Sequence, residues 1–408
     1  MSDGLVIVGG SYAAMQIAAS AREAGYGEPI RLVSEEPVLP YQRPPLSKGY
    51  LTGKFAPAAL PLRAEAFYRD NRIDLLLGKR VDALDLASGR VTLASGDRLA
   101  FDRLALATGT RPRPLPVPGA DLDGVLFLRS LADADRLRPR LEAATSIVII
   151  GGGFIGLEFA SVAATLGKPV TVIEAQDRLL ARGVSSQMAA FLTEIHRSRG
   201  VVLRLGTSVR ALHGESGRVR AVECGDGQRL DADLVLVAIG VVPNVELAVQ
   251  AGLSCQDGLL VDRLARTDDP RVVAAGDCTR HPSAFAGQLL RLESVQNATD
   301  QAKTAGAAVA GQDKPYESVP WFWSDQYGLK LQMVGLVQGH DRHAIRGAPD
   351  QRRFSIFYFR DDRLIAIDSI NRAADHMLGR KLLALGRSPT PGQAADESFD
   401  LQTLLAPV

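Results

Sequence analysis

Short apolar runs alternate with helical patterns through most of this chain. The clearest run covers residues 147–150, Ile-Val-Ile-Ile, and leads directly into the glycine-rich segment GGGFIG at 151–156 and then a helical pattern. This order predicts a buried strand, a tight turn and a helix. A further strand is predicted over 169–173, and it ends at Glu174, about 20 residues after the glycines.

The glycine spacing at 151–156 is typical of a turn that binds a dinucleotide. The first glycine permits the tight turn, the middle one leaves no side chain between the backbone and a pyrophosphate, and the last lets the helix pack closely on the strand. The helix N-terminus also offers free N–H groups to the anion. The residues predicted to make these contacts are Gly151, Gly153, Phe154, Ile155 and Gly156.

The acid that follows the second strand strengthens this interpretation. A carboxylate at Glu174 is placed to accept a hydrogen bond from a ribose 2′-hydroxyl. The alternative, a glycine-rich turn between buried elements with no ligand, accounts for the glycines but not for the acid.

An imperfect copy of the same pattern lies at the N-terminus. The apolar stretch LVIV leads into GGSYAA at 9–14, in which Ser11 replaces the middle glycine and Ala14 the last. Alanine is accepted at the last position, whereas Ser11 puts a small side chain where the backbone approaches phosphate. After the next predicted strand, Glu35 stands at the position of the ribose-binding acid, with Glu36 the alternative by one residue.

The two segments form an internal repeat. Each runs strand, glycine turn, helix, strand and acid, and each closes on a strand followed by a glycine, Gly109 in LALATGTRPRP and Gly240 in LVLVAIGVVPN. A duplicated dinucleotide-binding fold predicts two bound nucleotides. The proline-rich stretch RPRPLPVP at 111–118 marks a domain boundary near Gly109.

The pattern changes near the C-terminus. From Trp321 onward, apolar and polar positions alternate as in an antiparallel sheet, and a last helix is predicted over 377–385. The tail after Pro389 is acidic, and we expect it to be loosely ordered.

Composition narrows the class of protein. The chain has 408 residues, an apolar fraction of 46%, a charged fraction of 23% and a net charge of +1, which argues against nucleic-acid binding. No basic signal segment and no long apolar stretch is evident, so we expect neither secretion nor a membrane span. The three scattered cysteines suggest no disulfide framework and no metal site, as in a cytoplasmic protein: Cys224, Cys255 and Cys278.

Taken together, these residues resemble the FAD-dependent ferredoxin reductases of the putidaredoxin reductase type, which include reductase components of aromatic-ring dioxygenases. The resemblance covers nearly the whole chain. The motifs that carry it are GGSYAA, RPPLSK, LATGTRPRPLP, IIGGGFIGLE, AIGVVPN, AAGDC, ESVQNA and WFWSDQY.

The resemblance implies an α/β fold with two Rossmann-like domains of the glutathione-reductase type and a C-terminal α+β domain. The FAD domain would comprise 1–109 and 241–318, split around an NAD domain at 110–240, with the α+β domain at 319–408.

The resemblance also implies that FAD is bound tightly but without a covalent link, and it assigns particular residues to that binding. Glu35 would bind the adenosine ribose, Asp277 the ribityl chain, and the Val295 N–H the pyrimidine side of the flavin. The other residues implied to bind FAD are Gly9, Ser11, Ala13, Ala14, Arg43, Lys48, Val81, Ala107, Thr108 and Arg129.

The remaining implied roles concern NADH and the reaction. Gly240 would lie beneath the nicotinamide half, while the acid at Glu174 favours NADH over NADPH. Lys48 and Glu158 would form an ion pair beside flavin N5, although an exposed helix-cap carboxylate is the plain alternative for Glu158. Trp323 would pack near the flavin, or serve only as a core anchor.

The absence of a dithiol motif bears on which electron acceptor the protein uses. The sequence has no Cys-x-x-Cys motif, which excludes the dithiol route of related disulfide reductases. The resemblance therefore implies a [2Fe–2S] ferredoxin as acceptor, serving a cytochrome P450 or a ring dioxygenase. Alternatives are a rubredoxin reductase, an NADH oxidase, or a redox-sensing interaction protein like apoptosis-inducing factor.

Ferredoxins of this kind are acidic, so we expect a basic docking face. Its candidate cations are Arg291, Lys303, Lys330, Arg372, Arg380 and Lys381.

Overall fold

The structure, a computed structural model, describes residues 2–406. Residues 1, 407 and 408, at the ends of the predicted domains 1–109 and 319–408, lie outside the described residues. The α-helices are α1 (Tyr12–Glu23), α2 (Glu65–Asp70), α3 (Leu131–Ala143), α4 (Phe154–Thr165), α5 (Ser186–Ser198), α6 (Glu246–Gln250), α7 (Val295–Val309), α8 (Ala373–Ala384) and α9 (Pro391–Ala395). Short 3-10 helices span Pro44–Ser47, Pro57–Ala59 and Leu401–Leu405.

The strands are numbered in chain order. The first are β1 (Leu5–Val8), β2 (Ile30–Ser34), β3 (Ile73–Leu77), β4 (Val81–Asp85), β5 (Arg90–Leu93), β6 (Arg98–Ala100), β7 (Arg103–Leu106), β8 (Thr110–Pro112), β9 (Val125–Leu126), β10 (Ile147–Ile150), β11 (Val170–Ile173), β12 (Val202–Arg204) and β13 (Val209–Glu215). The others are β14 (Arg218–Cys224), β15 (Arg229–Asp231), β16 (Leu234–Val237), β17 (Val241–Pro243), β18 (Leu259–Leu260), β19 (Val272–Ala274), β20 (Thr279–Ser283), β21 (Gln288–Leu290), β22 (Trp321–Gln326), β23 (Leu329–Gly335), β24 (Arg342–Ala348), β25 (Arg353–Arg360) and β26 (Arg363–Ile370).

The chain divides into two compact units, each made of three segments. The first unit comprises Met1–Gln42, Pro57–Arg111 and Val242–Pro320. The second unit comprises Arg43–Ala56, Pro112–Val241 and Trp321–Val408. The division into three domains remains a prediction, because within the second unit helices α4 and α5 share one hydrophobic core with the C-terminal strands.

The first unit is built on a five-stranded parallel sheet in the order β19-β7-β1-β2-β3. Strand β1 is apolar at every position because both faces of the sheet are covered. Leu5 and Ile7 pack with helices α1 and α7, while Val6 and Val8 pack with strands β4 and β5. Helix α7 approaches α1 closely at Gly306, where an added Cβ would lie 2.8 Å from the carbonyl oxygen of Ile17.

The second unit repeats this arrangement in a parallel sheet of order β12-β11-β10-β16-β9. Strand β10 lies between β11 and β16, as β1 lies between β2 and β7. In both sheets the central strand leads through a glycine turn into a helix. The predicted internal repeat and the α/β fold class are therefore confirmed.

The C-terminal strands form an antiparallel sheet in the order β22-β23-β26-β25-β24, as the alternating pattern predicted. Helix α8 packs against it at Gly379, where an added Cβ would meet the side chain of Ile367 at 2.6 Å. This helix begins at Ala373, four residues before the predicted start at Met377.

The prediction of a loosely ordered tail after Pro389 is wrong. Thr390 and Gln393 form a capping box that starts helix α9, and a 3-10 helix follows at Leu401–Leu405. The buried guanidinium of Arg346 donates to backbone carbonyls of this segment, including those of Asp396 and Phe399. An acidic tail gains order here because an arginine from strand β24 satisfies its backbone.

Candidate functional site

The glycine turn of the first unit follows strand β1. Gly9 has φ +135°, and an added Cβ would lie 2.2 Å from the carbonyl oxygen of Ala107, so only glycine fits. Ser11 is the N-cap of helix α1, but its side chain makes no capping hydrogen bond to the helix. Ala13 and Ala14 follow in the first turn, both buried.

The two acids considered for the ribose differ in their surroundings. The hydroxyl of Tyr41 donates to Glu36 Oε2 at 2.6 Å, whereas Glu35 is exposed beyond the end of strand β2. Glu36 is thus engaged within the protein. This difference favours Glu35 as the ribose ligand, an assignment that stays a prediction.

Three neighbouring strands end at the same edge of the first sheet. Gly9 follows β1, Ala107 follows β7 and Asp277 lies three residues beyond β19, so the parallel order brings all three segments to one carboxyl edge. Ligands of open α/β sheets bind at this edge. Thr108 lies beside Ala107, and its hydroxyl donates to the carbonyl oxygen of Asn244 at 2.7 Å.

The other predicted FAD residues of the first unit are Val81 and Val295. Val81 begins strand β4 and is buried in the core beside the sheet. Val295 begins helix α7, whose N-cap Ser294 accepts from the N–H of Asn297. Sequence reasoning missed Gln301 on the same helix, whose Oε1 accepts from the Gly276 N–H at 2.8 Å.

The glycine turn of the second unit follows the dinucleotide-binding pattern more closely than the turn of the first unit, because all three of its glycines are present. Gly151 has φ +111° and an added Cβ would lie 2.3 Å from the carbonyl oxygen of Ala238. At Gly156 an added Cβ would lie 2.2 Å from the carbonyl oxygen of Gly151. At Gly153 nothing lies within 4 Å, so this position opens onto free space.

This open space fits an anion. Helix α4 starts at Phe154 with Gly153 as N-cap and has no side-chain cap, while helices α3, α5 and α7 are capped by serine side chains. The first N–H groups of α4 therefore keep their hydrogen-bonding capacity for a phosphate. The ring of Phe154 packs on Phe322 at 4.8 Å, and Ile155 is 43% exposed.

Glu174 lies beside the glycine turn of the second unit and accepts hydrogen bonds from backbone N–H groups. Its Oε2 accepts from the Gly152 N–H at 2.6 Å and its Oε1 from the Gln176 N–H at 2.8 Å. Two fixed oxygens still have lone pairs for a sugar hydroxyl. The closing glycine, Gly240, has φ +98°, and its carbonyl oxygen accepts from the Arg113 N–H at 2.9 Å.

The predicted ion pair is present in the second unit. Lys48 Nζ lies 2.6 Å from Glu158 Oε2, and Glu158 is only 3% exposed on helix α4. This excludes the alternative of an exposed helix-cap carboxylate. The hydroxyl of Ser47 donates to the same oxygen, and that of Ser324 donates to Glu158 Oε1 at 2.7 Å. The buried carboxylate of Glu158 therefore receives three donors from within the protein.

Two predicted flavin residues also meet in the second unit. Arg43 Nη1 donates to the carbonyl oxygen of Arg129 at 2.7 Å, next to the capping box that starts helix α3. Trp323 is half-buried on strand β22, with its ring 5.6 Å from that of Trp321. The flavin roles of these residues stay predictions.

The six cations considered for a basic docking face are mostly engaged. Ion pairs with acidic neighbours are made by Arg291, Lys303 and Arg372. The Arg380 guanidinium lies 4.7 Å from the centre of the Trp321 ring. All three lysines of the set, Lys303, Lys330 and Lys381, are exposed.

No other redox chemistry is evident in residues 2–406. Burial raises the pKa of all three free thiols, those of Cys224, Cys255 and Cys278, which disfavours a reactive thiolate. Within the same range, no group of His, Cys, Asp and Glu side chains could hold a metal ion. None of the described helices is long and apolar enough to span a membrane.

Comparison with known proteins agrees with two dinucleotide cradles and a separate C-terminal sheet. The family described as "Pyridine nucleotide-disulphide oxidoreductase" matches residues 3–302, and the one described as "Reductase C-terminal" matches residues 321–405. The chain belongs to the pyridine nucleotide-disulphide oxidoreductases, a family of oxidoreductases that use flavin and nicotinamide cofactors.

Proteins similar to this chain indicate which branch of the family it resembles. Rhodocoxin reductase of Rhodococcus erythropolis is 46% identical over 402 residues, which is 98% of this chain and 94% of that protein. The ferredoxin reductase for the CYP199A2 system of Rhodopseudomonas palustris has a TM-score of 0.97 at 44% identity, with 99% and 100% of the two chains covered. The covalent putidaredoxin reductase–putidaredoxin complex contains a chain with a TM-score of 0.95 at 39% identity, with 99% of each chain covered.

Sequence reasoning missed several polar residues around Glu158. They are Ser47, Ser324, Gln326 and His196. Two signals were available: Ser47 precedes Lys48 directly, and Ser324 and Gln326 flank Asp325 in the motif WFWSDQY.

Proposed function

We propose that this protein is an NADH-dependent ferredoxin reductase. It would accept a hydride from NADH on bound FAD and deliver electrons singly to a [2Fe–2S] ferredoxin that serves a cytochrome P450 or a ring dioxygenase. The observation that carries the proposal is the pair of glycine-turn units in a chain whose three thiols are all unpaired. The named relatives support it, because they include reductases of P450 systems.

The residues of the first unit would bind FAD tightly and without a covalent bond. The turn that begins at Gly9 would face the pyrophosphate, with Glu35 on the ribose and Asp277 on the ribityl chain. The positive N-terminus of helix α7 at Val295 would stabilise negative charge on the reduced ring by about 0.5–2 kcal/mol. When bound, the flavin supplies the conversion of a two-electron hydride into single electrons.

The residues of the second unit would bind NADH in preference to NADPH. The open N-terminus of α4 would receive the pyrophosphate, and Glu174 the ribose hydroxyl. A 2′-phosphate would meet the carboxylate at close range and be repelled. The nearby guanidinium of Arg178 donates to the carbonyl oxygens of Ala181 and Val184, so it is held away from such a phosphate.

The Lys48–Glu158 pair would place a fixed cation for the reaction of the flavin with NADH. Because Glu158 receives donors on both oxygens, its carboxylate holds the ammonium in one place. We also propose that the protein works in the cytoplasm, where the three free cysteines would stay reduced.

An acceptor comparison tests the proposal. The purified yellow protein is mixed with NADH under anaerobic conditions and then offered an acidic [2Fe–2S] ferredoxin, a rubredoxin, or oxygen. We expect the ferredoxin to be reduced at least tenfold faster than the other two. Faster reduction of rubredoxin or oxygen would contradict the proposed acceptor, and NADH-driven dimerisation with slow flavin reduction would indicate a redox sensor instead.

A further inference from the structure

A buried chain of hydrogen bonds leads from Glu158 to helix α5 within the second unit. The Ser324 hydroxyl lies 2.7 Å from Glu158 Oε1, and Gln326 Nε2 lies 3.1 Å from Ser324 Oγ. Gln326 Oε1 in turn lies 2.8 Å from His196 Nε2. All four side chains are nearly excluded from water, with exposed fractions between 0% and 3%.

The charge at one end fixes the direction of every bond. The carboxylate of Glu158 only accepts, so the Ser324 hydroxyl must donate to it. Ser324 Oγ then accepts from the amide nitrogen of Gln326, which leaves the amide oxygen facing His196. His196 therefore carries its proton on Nε2, and its Nδ1 accepts from the hydroxyl of Tyr327 at 3.1 Å.

The surroundings of His196 agree with a neutral ring. Burial lowers the pKa of His196, and its two ring nitrogens face the amide oxygen of Gln326 and the hydroxyl of Tyr327. Beyond Tyr327, the guanidinium of Arg199 lies 5.5 Å from the centre of the Tyr327 ring. Positive charge there opposes a second positive charge on the imidazole.

We propose that Ser324, Gln326 and His196 are positioning residues that orient the carboxylate of Glu158 and so fix the ammonium of Lys48. A neutral histidine at the far end orients the amide, the amide orients the hydroxyl, and the hydroxyl occupies Glu158 Oε1. This leaves Oε2 for Lys48 and Ser47. The importance of the chain for hydride transfer rests on the proposed function.

The same residues hold strand β22 in place. Side chains alternate along a strand, so Ser324 and Gln326 point to one face and Trp323 and Asp325 to the other. The turn after the strand is fixed as well, because the Tyr327 N–H donates to Ser161 Oγ of helix α4 at 2.7 Å. Loss of the chain is therefore expected to loosen Trp323 together with Lys48.

The first test measures the protonation of His196 directly. The nitrogen-15 NMR spectrum of the labelled holoprotein reports which ring nitrogen carries the proton, and the spectrum of His196→Gln identifies the signals among the six histidines. We expect the Nε2–H form at pH 7. The Nδ1–H form or a charged imidazolium would overturn the chain as described.

The second test measures what the chain does. Ser324→Ala and Gln326→Leu each leave a buried polar partner unpaired, and we expect both to slow flavin reduction by NADH about tenfold in a single turnover. The KM for NADH should stay within about twofold, because neither residue lies at the glycine turn. Thr193→Val is the matched control: it removes a buried hydroxyl from helix α5 that donates to the Ala189 carbonyl oxygen and is outside the chain.

The outcomes separate the two proposals. If the wild-type protein is reduced by NADH and both variants behave like Thr193→Val, the positioning role is overturned and the proposed function stands. If NADH does not reduce the wild-type flavin, the proposed function fails together with the kinetic role. The histidine spectrum then still decides whether the hydrogen-bonded chain exists.

Discussion

At the scale of single residues, Glu174 is the acid that we expect to set the nucleotide preference at the second glycine turn. Both of its oxygens accept from backbone N–H groups beside the glycine turn, so the carboxylate is fixed in position. A fixed negative charge discriminates between ligands more sharply than a mobile one, because a 2′-phosphate cannot push it aside.

Exchanging this charge should change the nucleotide preference. In the double variant Glu174→Ala, Gln176→Arg, repulsion of a 2′-phosphate is removed and a cation is added. We expect the ratio of kcat/KM for NADH to that for NADPH to fall at least tenfold, or about 1.4 kcal/mol or more. Steady-state kinetics with both nucleotides measure it, with Gln176→Ala as control. An unchanged ratio would remove Glu174 from the account of specificity.

Because Asp368 is buried, we expect the free energy of unfolding of the protein to depend on pH in an unusual way. This residue of strand β26 is 2% exposed, and burial raises its pKa to about 7. Because this exceeds the pKa of the unfolded chain, the folded state binds the extra proton. The contribution to stability is full below about pH 4 and is lost as the pH rises to about 7.

Asp368→Asn removes this titration. Its free energy of unfolding relative to wild type should therefore increase between pH 5 and pH 8 by about 3 kcal/mol, because about two of the three units of pKa shift are titrated in that range. Urea unfolding at several pH values tests this, with Asp350→Asn at an exposed position as control. A constant difference across the range would show that Asp368 ionises normally.

At the scale of elements, two glycines in the turn between β10 and α4 have different expected roles: Gly156 in folding and Gly153 in binding. An added Cβ at Gly156 would collide with the carbonyl oxygen of Gly151, whereas one at Gly153 would enter free space. Gly153 has φ −82°, which alanine adopts without strain.

Two alanine variants should therefore fail in different ways. Gly156→Ala should lower the free energy of unfolding by about 2 kcal/mol or more, because helix and strand must move apart. Gly153→Ala should keep the wild-type stability and lose at least tenfold in NADH affinity, because its methyl group takes the space of the pyrophosphate. Calorimetry and NADH titration distinguish the two; equal stability and equal affinity for both variants would contradict the assignment of the turn.

Arg346 on strand β24 contacts the backbone of the C-terminal tail. The guanidinium of Arg346 donates to carbonyls between Ala394 and Phe399, and its side chain is 7% exposed. In Arg346→Met these carbonyls lose their donors, so we expect limited proteolysis to cleave this segment faster than in wild type. Arg342→Met, on the same strand but exposed, is the control. Equal cleavage of all three proteins would show that the tail is ordered by other contacts.

These elements also show what the sequence does and does not contain. Strands β1, β10 and β16 have the predicted bounds, because a continuous apolar run flanked by glycine or polar residues has one simple solution. The tail was mispredicted because it is ordered by contacts with residues distant in sequence, among them Arg346, about 50 residues earlier in the chain, and Arg372.

The pairing of the polar residues around Glu158 was missed for a similar reason, although the motifs that contain Ser47, Ser324 and Gln326 had been noted. Gln326 lies 130 residues from His196 and Ser324 lies 166 residues from Glu158. Along the strand, Ser324 and Gln326 look like the solvent side of an alternating pattern, yet both are buried. Only the packing of strand β22 on helix α4 makes them partners of a carboxylate.

At the scale of the whole molecule, the duplicated cradle is the feature on which the account depends. Each unit has a parallel sheet whose central strand leads through a glycine turn into a helix, and each turn is followed by an acid. The first family match covers both parallel sheets, and the second match covers the C-terminal sheet. Two glycine-turn units indicate two nucleotide sites, and no thiol is paired among the described residues. Together these features indicate a protein whose flavin receives a hydride and releases single electrons.

Counting electrons tests this claim most directly. The purified yellow protein is titrated with NADH without oxygen, and the reduced sample is mixed with an excess of [2Fe–2S] ferredoxin in a stopped-flow spectrometer. We expect that one NADH bleaches one bound FAD and that two ferredoxins are then reduced as the yellow colour returns. A protein that binds no flavin, or a bleached flavin that ferredoxin leaves reduced, would contradict it.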